Sequence, residues 1–206
     1  GHPSNRAAAG RGAVSVVGFG LSNDERAGRA EEFEQAFRIA RTAGLAALPH
    51  AGELAGPSSV HAAVTTLGAA RVGHGVRASE DPRVLDLLAD RRVAAEVCPT
   101  SNVALGIADT SAHVPLRVLM DAGVPIALGA ADPLLFGSRL AAQYRLARDV
   151  HGLTDDELAR LALDSVEASR APDATKTRLT AGIAAWLLRE QHVVAHKNGQ
   201  VLVQYD

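Results

Sequence analysis

The run Leu45-Ala46-Ala47-Leu48-Pro49-His50-Ala51-Gly52-Glu53 decides how this chain is read. Its first half is short and apolar, the length of a buried strand. It ends on a turn of small residues that sets an imidazole and a carboxylate three residues apart. Upstream, Glu31 to Ala43 carries Phe33, Ala36, Phe37 and Ala40 at i, i+3, i+4, i+7 spacing, which predicts an amphipathic helix stopped by Gly44. Downstream, Pro57-Ser58-Ser59 opens a second helix, with proline where the first turn tolerates it, ending at Gly68. The pattern then repeats: Ala70–His74 is another short strand, again closing on a histidine between glycines, Gly73-His74-Gly75.

The same alternation extends both ways. Val14–Phe19 reads as a first strand closing on Leu21-Ser22-Asn23-Asp24-Glu25. Asp81-Pro82 starts a helix, Val93–Cys98 is a fourth strand, Val114–Ala122 a helix and Pro125–Leu128 a fifth strand. Strands alternating with helices predict βα units and a parallel sheet, the α/β class. A closed eight-stranded barrel typically needs about 250 residues, so this chain has room for about five such units. Three amphipathic helices are expected after them, over Leu134–Val150, Asp155–Ser169 and Thr175–Glu190. The middle one starts Thr154-Asp155-Asp156-Glu157, a capping box. At the end, apolar runs His192–Lys197 and Gln200–Tyr205 flank Asn198-Gly199, the sequence signal of a hairpin. The expected organisation is a disordered start over 1–13, one β/α domain over 14–190 and a β-hairpin tail over 191–206.

Composition excludes several functions. Twenty-one Lys and Arg against 23 Asp and Glu give a net charge of −2, so there is no basic field for nucleic acid or an anionic membrane. No apolar run approaches the roughly 18 residues of a membrane span, and Gly1–Gly10 lacks the apolar centre of a signal peptide. A single cysteine, Cys98, excludes an internal disulfide framework. These features place the chain in the cytoplasm.

In parallel α/β proteins reactive groups gather at the carboxyl ends of the strands. His50, His74, Asn102 and Asp132 each follow a strand candidate, so all could face one mouth. Histidine and aspartate at successive strand tips can bind a metal such as zinc, and Glu53 could serve as an acid or base if burial raised its pKa. Each residue also has a plainer reading. A lone strand-end histidine is more often hydrogen-bonded or solvated than a ligand, a lone Glu53 is more often a surface carboxylate, and Asp132-Pro133 is usually a helix start. Cys98 reads as a small buried apolar residue.

Taken in order, His50-Ala51-Gly52-Glu53, Gly73-His74-Gly75, Glu96-Val97-Cys98-Pro99-Thr100-Ser101-Asn102 and the turn at Asp132-Pro133-Leu134 resemble the adenosine deaminase family. Gly18–Glu25 looks like that family's fourth-strand motif, and the similarity runs from about residue 14 to about 170. The resemblance implies a TIM-type parallel β/α barrel, incomplete here, with extra C-terminal helices. It also implies a zinc-dependent hydrolase that converts adenosine or deoxyadenosine to the inosine product and ammonia. By that resemblance His50 is a zinc ligand, Glu53 protonates N1 of the purine and His74 orients and deprotonates the attacking water. Asp132 would meet N7 of the base. Asn23 stands where the family usually has a glycine whose backbone approaches the base.

The sequence also departs from that pattern. None of its eight histidines forms the His-x-His that supplies two zinc ligands in the family, and Ala131 stands where the family has a zinc-binding aspartate. The alternative is therefore a truncated or inactive barrel that binds a purine or a partner chain without turnover. Missing strands would expose barrel edges, so self-association is expected. The other zinc deaminase type reads His-x-Glu with Pro-Cys-x-x-Cys, a spacing that His50, Glu53 and Cys98 do not match.

Overall fold

The computed structural model describes residues 16–198. Strands β1 (Gly18–Leu21), β2 (Ala46–Ala51), β3 (Arg71–His74) and β4 (Ala94–Glu96) form one sheet in the order β1-β2-β3-β4. Every neighbouring pair is parallel, with Gly18 opposite Ala46, His50 opposite Gly73, and Arg71 opposite Ala94. Helices α1 (Glu34–Thr42), α2 (Pro57–Thr65) and α3 (Pro82–Asp90) make the crossovers between successive strands. All strands point the same way, so every tip opens on the same end of the sheet.

The fifth strand expected over Pro125–Leu128 is only partly formed. Ala95 and Ile126 make a single parallel bridge, with Ala95 N–H donating to the Pro125 carbonyl at 3.0 Å and Ala127 N–H donating to Ala95 at 2.9 Å. Gly129 N–H reaches the Val97 carbonyl at 2.8 Å. The segment is bounded by Pro125, which has no N–H to give, and its ladder runs along one side only.

Alternate layers of the sheet are filled as burial requires. Val72, Ala95, Val97 and Ile126 are fully enclosed from the strands, against Val60, Ala63, Leu88, Leu116 and Leu119 from helices, including α5 (Leu116–Asp121). A smaller cluster of Phe37, Ala47 and Leu67 packs α1 against β2. The α1 face is narrower than expected: only Phe37 and Ala40 are buried, while Phe33 and Ala36 are exposed. Its first turn, Ala30–Phe33, is a 3-10 helix, which rotates Phe33 off the buried stripe.

Beyond β4 come α4 (Pro99–Ala104), which the sequence pattern did not predict, and then α6 (Pro133–Phe136), α7 (Leu140–Asp149), α8 (Asp155–Ala168) and α9 (Asp173–Asn198). The single helix expected over Leu134–Val150 is thus two. Gly137, at φ 64, takes the left-handed conformation that ends α6. The Thr154 cap forms as predicted, accepting from Glu157 N–H at 3.3 Å while Glu157 Oε2 accepts from Thr154 N–H at 2.8 Å. The strand expected over His192–Lys197 is corrected: those residues are the last turns of α9. A helix already nucleated at Asp173 extends at one hydrogen bond per residue, and here it overrides the local hairpin signal. The rest of that expected tail, and the start over 1–13, lie outside the described residues.

Candidate active site at the strand tips

His50 is the second-last residue of β2 and lies directly opposite Gly73 of β3. Its ring covers Gly73: a Cβ there would sit 2.3 Å from His50 Cδ2, so only glycine leaves the imidazole its place. After Ala51 the chain turns at Gly52 (φ 68) and presents Glu53. On the next strand His74 is the final residue, itself at φ 64 and followed by Gly75 at φ 67. The two turns are stitched together, Gly75 N–H donating to Ala51 at 2.9 Å and Arg77 N–H to Gly52 at 3.0 Å. Of the four non-glycine residues with positive φ among those described, Asn23, His74 and Ala131 all stand at strand tips. Strained backbone of this kind gathers where structure is held for function.

The result is a compact trio. Nε2 of His74 lies 3.1 Å from Oε1 of Glu53, and both residues are buried. The His50 and His74 rings meet edge to face, centroids 5.1 Å apart at 75°. Among the described residues His50, Glu53 and His74 are the one group of donors gathered for a metal, with ligand atoms all within 4.8 Å of one another.

Burial governs protonation here. It pushes Glu53 above the usual carboxylate range, and the Glu25 carboxylate nearby adds to the rise. It pushes His74 down to about 4, aided by His50 and opposed by Glu25. Although the distance fits an ion pair, burial works against charge on both partners, raising Glu53 and lowering His74. Among the described residues His74 Nδ1 is buried without a partner, as are Ser101 Oγ and both side-chain polar atoms of Asn102. Buried polar atoms are rarely left so in a finished site.

The other expected residues divide. Asn23, at φ 94 and exposed in the turn after β1, lines a cleft of about 320 Å³ with His50, Glu25, Ser59 and Phe33. Asp132 stands apart: it is exposed at the start of α6 and its side chain makes no hydrogen bond or ion pair with the described residues. Cys98 is buried and its thiol is pushed up to about 11 by burial, so it is no nucleophile at neutral pH.

Sequence reasoning missed Glu25. Its Oε2 accepts from the N–H groups of Glu53 (2.8 Å), Leu54 (2.6 Å) and Ala55 (2.9 Å), and its Oε1 from Ser59 Oγ at 3.1 Å. The residue stood in the quoted run after β1, but nothing in the sequence ties it to a turn 28 residues on.

A zinc of the kind the resemblance implies is not matched by these residues. Two imidazoles and a carboxylate are three donors of kinds that zinc accepts, but of the ligand set that the resemblance implies only His50 is present. Here Glu53 and His74 are bonded to each other, and the fifth segment's tip offers the methyl of Ala131. What the trio fits, on its own atoms, is proton transfer.

Comparison with known proteins agrees with the fold. The family model described as Adenosine deaminase matches residues 6–186. A Streptomyces virginiae protein named "Putative adenosine/adenine deaminase" is 62% identical over 172 residues, covering 84% of this chain and 51% of its own length. The crystal structure of an adenine deaminase from Arthrobacter aurescens superposes with a TM-score of 0.80 at 32% identity, over 83% of this chain and 52% of that one. An amidohydrolase from Burkholderia ambifaria, crystallised with bound Zn, gives 0.81 at 28% identity, over 89% and 51%. The chain spans about half the length of the curated relatives it matches. On the family match and this identity, the chain belongs to the adenosine deaminase family.

Proposed function

We propose that this protein acts on a 6-aminopurine, adenine or adenosine, and carries the proton-transfer residues for its hydrolytic deamination to the 6-oxopurine and ammonia. The observation that carries this reading is the buried contact between Glu53 and His74 at 3.1 Å, with burial favouring the neutral form of each. A carboxyl whose proton is held more tightly through burial can donate to a ring nitrogen, which draws electrons from C6 and opens it to water. A neutral imidazole beside it can take the proton that the attacking water must lose. In this structure the two groups bond to each other. A purine nitrogen and a water would replace that mutual bond.

Relatives support the substrate class: their names give adenosine/adenine and adenine deaminases. In this reading Asn23 contacts the purine from the cleft it shares with His50, and Asp132 reaches the base only if the α6 segment closes over it. One relative was crystallised with bound Zn; of the ligand set that the resemblance implies, this chain offers His50 alone.

A second reading, purine binding without turnover, is favoured by Ala131 in place of a carboxylate at the tip of the fifth segment. One experiment separates the two. Calorimetric titration with adenine and adenosine measures binding, and coupled ammonia detection measures turnover on the same preparation. Binding with ammonia release supports the first reading; binding alone supports the second; neither refutes both.

A further inference from the structure

We propose that Glu25 is a positioning residue that sets the side chain of Glu53 against His74. The inference rests on the reading above for its catalytic meaning, but its geometry stands independently. Three successive backbone N–H groups, those of Glu53, Leu54 and Ala55, converge on the one oxygen Oε2 at 2.6 to 2.9 Å. Consecutive amides pointing inward form an anion-binding nest, and here a carboxylate of the same chain fills it. The fourth bond, from Ser59 Oγ to Oε1 at 3.1 Å, fixes the rotation of the carboxylate and ties it to the first turn of α2.

These amides belong to the turn that follows β2 and have no ladder to join. Without an acceptor, the turn bearing Glu53 would satisfy its N–H groups with water and lose its conformation. From the opposite side, Arg77 Nη1 donates to the Leu54 carbonyl at 3.0 Å. The turn is thus gripped through its donors by Glu25 and through its acceptor by Arg77. The Glu53 side chain leaves this turn directly into its 3.1 Å contact with His74. Among the described residues Glu25 hydrogen-bonds to the turn that carries Glu53 and to neither imidazole, so its positioning effect runs through Glu53.

The test uses the 206-residue protein with Glu25→Ala and Glu25→Gln. Glutamine keeps the size and one acceptor oxygen but removes the charge that strengthens the bonds. Two readouts need no turnover: amide hydrogen exchange resolved at Glu53, Leu54 and Ala55, and the ¹⁵N shift of His74 Nε2, which reports its bond to Glu53. In Glu25→Ala, exchange at the three amides should accelerate roughly tenfold or more, while Gly75 N–H, bonded to Ala51, keeps its rate. His74 Nε2 should move towards its unbonded position. Glu25→Gln should fall between wild type and alanine on both readouts. If Glu25→Ala does not fold, the glutamine variant decides: selective change at the three amides supports the proposal. Unchanged exchange, or change spread evenly over the chain, overturns it. Where wild type turns over purine, Glu25→Ala should lower kcat far more than it raises KM, with partial rescue in Glu25→Gln; equal effects on both overturn the positioning role. A wild type without turnover refutes the functional reading while the exchange and ¹⁵N results still decide this one.

Discussion

With Nε2 of His74 3.1 Å from Oε1 of Glu53 and both groups buried, charge is disfavoured on either partner. This has a consequence for stability. His74 protonates near 4 in the folded protein but near the ordinary 6.5 when unfolded. As pH falls from about 6.5 to 4 the unfolded chain takes up a proton that the folded one refuses, so stability is lost across that window. Glu53, raised when folded, works in the opposite sense: its contribution is present at low pH and is lost as pH rises through the raised value. Urea unfolding from pH 7 to 4 should therefore cost the wild type more stability than it costs His74→Gln, the Glu53 contribution acting the other way. An unchanged slope would mean that His74 is not held neutral. Gly73 gives a steric test. Gly73→Ala puts a methyl into the His50 ring and should cost about 1–3 kcal/mol and displace the His50 ring resonances; a neutral outcome would mean the ring is free to leave. At this scale the sequence was informative where histidine or glutamate followed an apolar run, as at His50, Glu53 and His74. It was silent on Glu25, whose role depends on tertiary contact with a distant turn.

Among the elements, β2 and β3 carry the site because their tips are adjacent and their register sets His50 over Gly73. Both were legible: short apolar runs between helices with clear stops. The fifth segment was legible as an apolar run but not as a weak strand, since what limits it is pairing on one side. Helix α9 shows the opposite failure, a strong local turn signal at Asn198-Gly199 preceded by chain that stays helical. The tip of the fifth segment also offers an element-level prediction. Ala131 already holds φ 49, a conformation aspartate tolerates. If this tip faces the same mouth as His74, Ala131→Asp supplies a carboxylate partner for the attacking water, and ammonia release should rise about tenfold or more. No change in rate would place residue 131 outside the reacting site.

For the whole molecule, the parallel sheet ends at β1, whose outer side has no partner strand among the described residues. Val16, Val17 and Phe19 are exposed along it, at 73%, 48% and 37%. An open apolar edge is a template for pairing. We propose that this protein self-associates through β1; sedimentation at rising concentration should show mass above one chain, and Val17→Lys should return it towards a monomer. A wild type that stays monomeric at all concentrations would count against an open edge. The parallel α/β class followed from the alternation of elements, and the deaminase family from the order of its tip motifs. None of the described helices is long and apolar enough to cross a membrane.

In the proposed reaction Glu53 and His74 do the proton work on a bound 6-aminopurine. The most direct measurement is ammonia release from adenine and adenosine by wild type and Glu53→Gln side by side, with purine affinity measured for each. The expected result is release by wild type and a loss of roughly 100-fold or more in Glu53→Gln, with affinity changed little. Equal rates in the two proteins would contradict it.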